Sequence, residues 1–293
     1  MNFIYYTIGI SKQAFHQWLE RSMLVLEEQE FLLPIIKQIR SDHPMLSCRQ
    51  IYPMINPKSM GRDRFEAFCH ANGFKIERKL RKYKTTDSRG FIYFPNLLLT
   101  MNELAYINQL WVSDITYYAI DSQVFYLTFI MDIYNREIVG YSAAVNLLTE
   151  HTTLPALNMA IAQRKLKKES GLTFHSDGGG QYYCKAFVAR TKEYGIKNSM
   201  GKTAYENPHA ERINGTIKND YLIPYQPTNF KELKQFLDKA VKLYNQQRPH
   251  QALNGRSPKN FQKHIDNGLL TKKWIINKKK KVTKKEKVNI NIN

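Results

Sequence analysis

Three neighbouring segments between residues 110 and 145 constrain the fold of this chain more than any other feature. LWVSDITYY (110–118), VFYLTFIMD (124–132) and EIVGYSAAV (137–145) are rich in β-branched and aromatic residues, which favour β-strands. Short polar stretches separate the segments at distances typical of hairpin turns. The sequence therefore predicts an antiparallel meander of three strands.

Helices and strands alternate after this meander. The predicted elements are, in order, a helix, a strand, a helix, a strand and two further helices: Glu150–Arg164, Leu172–Ser176, Lys185–Tyr194, Ile196–Met200, one helix opened by Asn207 and Pro208, and one opened by Asn229. Asn followed by Pro is a preferred helix start, because Asn caps free N–H groups and Pro lacks one. We predict an α/β fold with a mixed five-stranded sheet and flanking helices, in the order of the ribonuclease H-like fold.

The part of the chain before the meander is predicted to be helical. Leu46–Met54 and Arg62–Asn72 are two short helix candidates, and the second carries Arg62 and Arg64. Such a pair is either a helix-turn-helix that binds DNA or a helical pair that only packs. The predicted domains are a helical DNA-binding region over 1–84, a linker over 85–104, a catalytic core over 105–265 and a basic, disordered tail over 266–293.

The charge of the chain predicts its class of partner. The formal net charge is +19 and the isoelectric point is near 9.7, and chains this basic usually bind a polyanion. We predict nucleic acid, although a ribosomal or merely solvated basic protein has a similar charge. Nine lysines lie between Thr271 and Val288 against the single acid Glu286. This segment is predicted either to be simply solvated or to bind phosphates without reading sequence.

Other sequence features exclude several classes of protein. No run of 18 apolar residues occurs, so we expect no membrane span, and the first residues lack the pattern of a secretory signal. Cys48, Cys69 and Cys184 are too scattered for a disulfide framework or a CxxC metal site. A reducing cytoplasm is therefore the expected compartment.

Three acids stand out by their positions. Asp114 lies in the middle of a strand, Asp177 follows a strand and precedes three glycines, and Glu211 lies in the first turn of a helix. Each position also has a purely structural explanation. An Asp at position 114 can face solvent on its strand, Asp177 can form a turn, and Glu211 is favoured by the helix dipole. Together the three acids meet the requirements of a site that binds divalent metal ions. Cleaving a phosphodiester is helped by two Mg²⁺ ions about 4 Å apart, and carboxylates are their preferred ligands.

Several longer strings resemble one family. WVSDITYY, MDIYNREIVGYS, FHSDGGGQY, NPHAERINGTIKNDYL and LYNQQRPHQALNGRSPKNF, in this order over roughly 105–265, resemble the integrase catalytic core. They are most similar to the second-reading-frame product of transposases of the insertion sequence three family. The resemblance implies that Asp114, Asp177 and Glu211 form a catalytic, metal-binding D,D,E triad for two Mg²⁺ ions, with Mn²⁺ as an alternative. The loop before Glu211 is two residues shorter than is common in the family.

The same resemblance implies the reaction and the partners. We expect a DNA transposase that cleaves element ends at their terminal inverted repeats and joins the 3′-OH to target DNA. A homo-oligomer on DNA is expected, in the bacterial cytoplasm at the nucleoid. The alternatives are a nuclease of ribonuclease H type, which would need a fourth acid, and a non-catalytic DNA-binding regulator of transposition.

Further residues are candidates for DNA contacts. Lys218 lies two helical turns after Glu211 and Asn214 lies one turn after it, so all three share a face of an ideal helix. The family resemblance implies that Lys218 contacts the DNA end. Arg248 either binds phosphate or caps a helix, and Arg62 and Arg64 belong to the helix-turn-helix candidate.

Three remaining polar residues are assigned structural roles. Asp132 is a possible fourth acid, but we predict that it braces the turn at residues 134–136. His175 and His209 are predicted to be packed or hydrogen-bonded imidazoles.

Overall fold

The computed structural model describes residues 5, 7, 9–77, 93–201 and 206–276. The helices in these ranges are α1 Lys12–Asp42, α2 Cys48–Ile55, α3 Arg62–Ala71, α4 Thr153–Arg164, α5 Lys185–Glu193, α6 Pro208–Ile217, α7 Ile223–Tyr225, α8 Phe230–Gln246 and α9 Pro258–Asp266. The strands are β1 Glu103–Leu104, β2 Leu110–Ile120, β3 Gln123–Asp132, β4 Ile138–Ala144, β5 Thr173–Ser176, β6 Lys197–Met200 and β7 Trp274–Ile275. A π-helical stretch, Lys218–Leu222, links α6 to α7.

The main sheet has five strands in the order β4-β3-β2-β5-β6. The β3–β4 pair is antiparallel, whereas β5 pairs in parallel with both β2 and β6. Parallel neighbours need crossover connections, and α4 and α5 supply them. This is the strand order of the ribonuclease H-like fold, and the predicted mixed sheet with flanking helices is confirmed.

One compact unit consists of the described parts of Ser88–Thr116, Tyr126–Glu211 and Ile265–Asn293. Its core packs apolar side chains of the sheet, including Trp111 and Phe174, against α4 and α5. Gly140 allows β4 and α4 to approach closely, because a Cβ at Gly140 would lie 2.1 Å from the carbonyl oxygen of Ala156. The sequence places a glycine where no side chain fits.

The second compact unit consists of the described parts of Met1–Asp87, Tyr117–Phe125 and Arg212–His264. Part of its core is formed by buried residues of the first helices, among them Ile36 of α1, Ile51 of α2 and Phe65 of α3. Ser11 caps α1 by accepting a hydrogen bond from the N–H of Ala14 (3.1 Å). The helical character predicted for this region is confirmed.

Part of the segment predicted to be a disordered tail is folded in the structure. The prediction of a disordered tail is wrong for residues 274–275, because β7 pairs antiparallel with β1 and the Trp274 indole donates to the Tyr134 carbonyl (2.9 Å). Residues 78–92 of the helical region and linker and 277–293 of the tail lie outside the described residues. The domain boundaries as a whole stay predictions. None of the helices in the described ranges has the length and apolar character needed to cross a membrane.

Candidate active site

Asp114 and Asp177 are placed level with each other by the sheet. β2 and β5 run parallel, and Val112 is paired with His175. Asp114 lies two residues after Val112 on β2, and Asp177 lies two residues after His175, just beyond the end of β5. Both side chains are half-buried. The register of one strand pair thus brings together two of the three predicted acids.

The loop after β5 shapes the surroundings of Asp177. The Gly179 N–H donates to Asp177 Oδ1 (3.2 Å), so the carboxylate closes the turn into the 3₁₀-helix Gly180–Tyr182. Burial raises the pKa of Asp177 above its ordinary value, and the hydrogen bond from Gly179 opposes this shift. A partly desolvated carboxylate of this kind is stabilised in its charged form by a cation.

Tyr182 is a site residue that the sequence did not reveal. Its side chain is fully buried, and its hydroxyl lies 2.9 Å from Ser113 Oγ, next to Asp114 in the chain. Burial raises the pKa of Tyr182 well above its ordinary value, and the charges of Asp177 and Asp114 raise it further. The buried phenol of Tyr182 is therefore within electrostatic reach of both carboxylates.

Glu211 lies in the first turn of α6, whose start is attached to β2. The Asn207 amide donates from Nδ2 to the Ser113 carbonyl (2.9 Å), and the Glu211 N–H donates to the Asn207 carbonyl (3.2 Å). The Glu211 side chain is exposed. Asn207 thus anchors the helix that carries Glu211 to the strand residue before Asp114. Residues 202–205 of the shortened loop lie outside the described residues.

The carboxylates fit a hard divalent cation by their chemistry. Mg²⁺ prefers oxygen ligands, and Asp114 and Asp177 offer two carboxylates at one level of the sheet. Within the ranges that the structure describes, no group of three or more His, Cys, Asp or Glu side chains is close enough to hold a metal ion. Glu211 therefore stays a predicted third ligand.

Asp132 has the bracing role that the sequence predicted. Its carboxylate accepts hydrogen bonds from the N–H groups of Tyr134 (3.0 Å) and Asn108 (2.8 Å). Arg164 Nη2 lies 3.4 Å from Asp132 and 2.8 Å from Glu137, and all three side chains are buried. Burial raises the pKa of Asp132 to about 6, and the Arg164 charge opposes the shift. With its oxygens engaged in this network, Asp132 gives no support to a four-acid site.

The histidines near the acids have structural contacts. His175 is fully buried, its Nδ1 lies 2.9 Å from Ser199 Oγ, and burial lowers its pKa to about 4. His209 Nδ1 lies 3.0 Å from Arg136 Nη1. The predicted packed and hydrogen-bonded imidazoles are confirmed.

The candidate DNA-binding residues occupy varied environments. Lys218 begins the π-helical stretch, so the α-helical spacing that related it to Glu211 ends at Ile217, and its ammonium donates to the Tyr117 carbonyl (3.4 Å). Asn214 is buried. All five candidates lie in the second compact unit, where Arg248 is buried and paired with Asp220 (2.6 Å), while Arg62 and Arg64 are exposed on α3. Their roles toward DNA stay predictions.

Comparison with known proteins identifies the family. Two models described as integrase core domain match residues 107–205 and 193–258. A 31 kDa uncharacterized protein of insertion element IS600 from Shigella sonnei is 30% identical over 261 residues, which are 86% of this chain and 95% of that protein. The transposase for insertion sequence element IS904 from Lactococcus lactis is 27% identical over 218 residues, 72% of this chain and 82% of that protein.

Solved structures include the HTLV-2 integrase catalytic core domain in complex with magnesium. It is 23% identical in sequence, covers 53% of this chain and 95% of that chain, and has a TM-score of 0.43. The sequence relationship to the IS600 protein over nearly its whole length, with the two integrase core matches, determines the assignment. The chain belongs to the integrase-core, DDE-type transposases of bacterial insertion elements, which are polynucleotidyl transferases.

Proposed function

We propose that this transposase cleaves the terminal inverted repeats of its element and joins the freed 3′-OH to target DNA at Asp114, Asp177 and Glu211. The observation that carries the proposal is the level placement of Asp114 and Asp177 on neighbouring parallel strands, with Asn207 attaching the Glu211 helix beside them. Asp114 and Asp177 would hold the first ligand positions for two Mg²⁺ ions, or Mn²⁺, and Glu211 would complete the set. The bound ions would neutralise charge on the phosphate and lower the pKa of an attacking water.

Both steps are phosphoryl transfers at one site. In the first step a water oxygen bonds to phosphorus while the bond to the 3′ oxygen breaks, leaving a 3′-OH and a 5′-phosphate. In the second step the 3′ oxygen loses its proton and bonds to a target phosphorus while another 3′ oxygen leaves. The protein's contribution is mainly positioning, for which the buried Tyr182–Ser113 contact and the Asn207 anchor provide a rigid base.

The test is a coupled cleavage and strand-transfer assay. A labelled duplex carrying the inverted repeat is incubated with the protein, Mg²⁺ and a target plasmid. We expect nicking at the repeat boundary followed by covalent transfer of label to the plasmid. Cleavage of an RNA–DNA hybrid without transfer would instead favour a ribonuclease H-type activity, and DNA binding without nicking would favour a regulator.

We further propose that the chain acts as a homo-oligomer on DNA, because one transposition event requires both element ends to be held together. The DNA contacts would come from Lys218, Asn214, Arg248, Arg62 and Arg64, and from the basic tail. The location of such DNA is the bacterial nucleoid, so we propose a cytoplasmic, nucleoid-associated protein.

Lys218 provides a graded test of the end contact. Lys218→Ala should reduce end binding and joining without removing metal binding, since an ammonium cannot ligate a cation. Lys218→Arg should be milder because the charge remains, and Lys218→Glu should be most severe because it repels phosphate. The measurement is joining rate for all three variants with Lys231→Glu as the surface control. Parental rates in all three would show that Lys218 is only a solvated lysine.

The basic tail is tested by its effect on salt dependence. Deleting residues 277–293 removes seven lysines but retains Trp274 and β7. Each lost phosphate contact should lower the slope of log affinity against log salt by roughly 0.9. The measurement is non-specific duplex binding at several salt concentrations. An unchanged slope would mean that the tail does not contact DNA.

A further inference from the structure

A cavity of about 740 Å³ lies within the unit that contains α1–α3. Its walls come from α2, α3, residues 75–76, α6, the π-helical stretch and Arg248, two residues after α8. Its charged and potentially charged lining residues are Glu66, His70, Lys75, Arg212, Asp220 and Arg248. The volume falls in the range of roughly 300–1,000 Å³ that accommodates ligands larger than a single phosphate.

The charges around this cavity leave an excess of positive charge. Glu66 pairs with Arg49 outside the lining (2.7 Å), and Asp220 pairs with Arg248 (2.6 Å). Neither Lys75 nor Arg212 has an ion pair among the residues that the structure describes. Both acids are therefore matched by an arginine, and two cations remain to attract an anion.

Arg248 is held rigidly at the wall of the cavity. Its residue exposure is 8%, Asp220 fixes one edge of its guanidinium, and the group lies 5.8 Å from the centre of the Tyr221 ring. Its Nη1 is buried and meets no acceptor at hydrogen-bond geometry in the described ranges, although the Tyr221 hydroxyl interacts with the guanidinium. A buried cationic donor without an acceptor is unfavourable, and a phosphate oxygen would complete it once the guanidinium turns toward the cavity that Arg248 lines.

Packing against the described residues does not explain the glycine at position 215. Glycine in a helix interior is unfavourable relative to alanine, because it loses more conformational freedom on folding. Among the described residues, a Cβ at Gly215 would meet only Asn219 Nδ2, at an ordinary contact distance of 3.8 Å. The helix therefore has room for a side chain, and Gly215 lines the cavity. A glycine at such a place suits the close approach of a ligand.

The wall next to Gly215 is also irregular. Asn219 and Asp220 reach the cavity from the π-helical stretch Lys218–Leu222. Stretches of π-helix are rare and occur frequently at functional sites. The irregular helix, the unsatisfied arginine and the unexplained glycine are separate observations at one cavity.

We propose that this cavity receives a phosphodiester group of a DNA strand, held by Lys75, Arg212 and Arg248, with the sugar–phosphate backbone passing over Gly215. The inference rests on the proposed function only in taking DNA as the substrate. The cavity contributes binding and requires no metal, so it can be tested without cleavage.

Gly215→Ala separates this role from a structural one, because the two predict different combinations of effects. Replacing a helix-interior glycine should raise the Tm by about 2–4 °C, since nothing in the described parts of the chain obstructs the methyl group. The same methyl group should weaken DNA binding by about tenfold, the equivalent of one charge-assisted contact. Both are measured on the full chain, the first by thermal unfolding and the second by fluorescence anisotropy with a 20-base-pair duplex in EDTA. A stabilised variant that binds DNA like the parent would overturn the proposal.

The cationic contacts are tested by salt dependence. The double variant Lys75→Ala, Arg212→Ala should lower the log–log salt slope by up to about 1.8, which is 0.9 for each phosphate contact. Lys231→Ala, Lys242→Ala removes the same charge from the exposed face of α8 and should leave the slope near the parental value. Lys75→Arg, Arg212→Lys should restore it. Equal slopes for the cavity and control pairs would contradict the proposal.

A competition experiment distinguishes a phosphate of duplex DNA from the phosphate of a free nucleotide. Addition of a free mononucleotide at matched ionic strength should leave duplex binding nearly unchanged, because a single phosphate makes only part of the contact. Tight mononucleotide binding with unchanged duplex affinity in the cavity variants would make this a nucleotide site instead. All arms are run in the Asp177→Asn background. The binding measurements therefore remain interpretable if the proposed catalysis fails. A negative result in the binding measurements would not contradict the proposed catalysis.

Discussion

Asp177→Asn should reduce cleavage and joining of element ends by roughly a thousandfold or more. The substitution keeps the size of the side chain but replaces a charged ligand with a neutral amide. Losing about 4 kcal/mol of charge stabilisation in the transition state corresponds to that factor. Asp114→Asn and Glu211→Gln should have effects of the same order, because each would remove one ligand of the same metal pair.

The matched control is Asp121→Asn, which makes the same chemical change in an exposed turn. Its backbone φ of 51° is one that Asn tolerates well, so stability should change little. Cleavage is measured with and without Mg²⁺, and duplex binding is measured in EDTA for every variant. Near-parental cleavage by one of the three acid variants, with binding intact, would remove that acid from the site.

Arg164→Met should destabilise the protein by about 3–5 kcal/mol. The guanidinium is the cation between Asp132 and Glu137, and side-chain exposures are 9% for Arg164, 0% for Asp132 and 1% for Glu137. Removing it leaves two carboxylates buried without a counter-charge, which is far more unfavourable than the loss of an exposed ion pair. The free energy of unfolding is measured by urea titration.

Lys168→Met is the corresponding control at the surface. Lys168 and Glu193 lie 4.0 Å apart with exposures of 73% and 42%, so their loss should change stability by less than about 1 kcal/mol. Adding Asp132→Asn and Glu137→Gln to Arg164→Met should recover part of the lost stability, because the buried charges are then gone. Equal effects of Arg164→Met and Lys168→Met would show that the buried network is not stabilised by its charges.

Local sequence signals predicted the elements that carry the acids. The β-branched and aromatic segments became β2, β3 and β4, and Asn207 followed by Pro208 marked the start of α6. Ser257 and Pro258 are the same kind of signal, and Ser257 Oγ accepts from the Asn260 N–H at the start of α9 (3.3 Å). α9 is absent from the predicted elements, although Ser257 and Pro258 indicate its start.

Other features depend on contacts between distant parts of the chain. The Tyr182–Ser113 contact joins residues on separate strands and loops, and no periodicity reveals it. β1 and β7 have only two residues each, too short for a pattern. α1 continues through Pro34 to Asp42, whereas an internal proline normally indicates a helix end. The sequence of the π-helical stretch, Lys218–Leu222, likewise does not differ from that of an ordinary α-helix.

The pairing of β7 with β1 has a consequence for the order of events during synthesis. Domains usually fold as their residues leave the ribosome, starting from the N-terminal side. Here Glu103 is paired with Ile275, and Tyr134 with Trp274, so the unit that carries the three acids cannot be completed until residue 275 has emerged. A nascent chain stalled before this point would present its five-stranded sheet without these closing contacts, and fusions or truncations placed before Trp274 would leave the finished protein in the same condition.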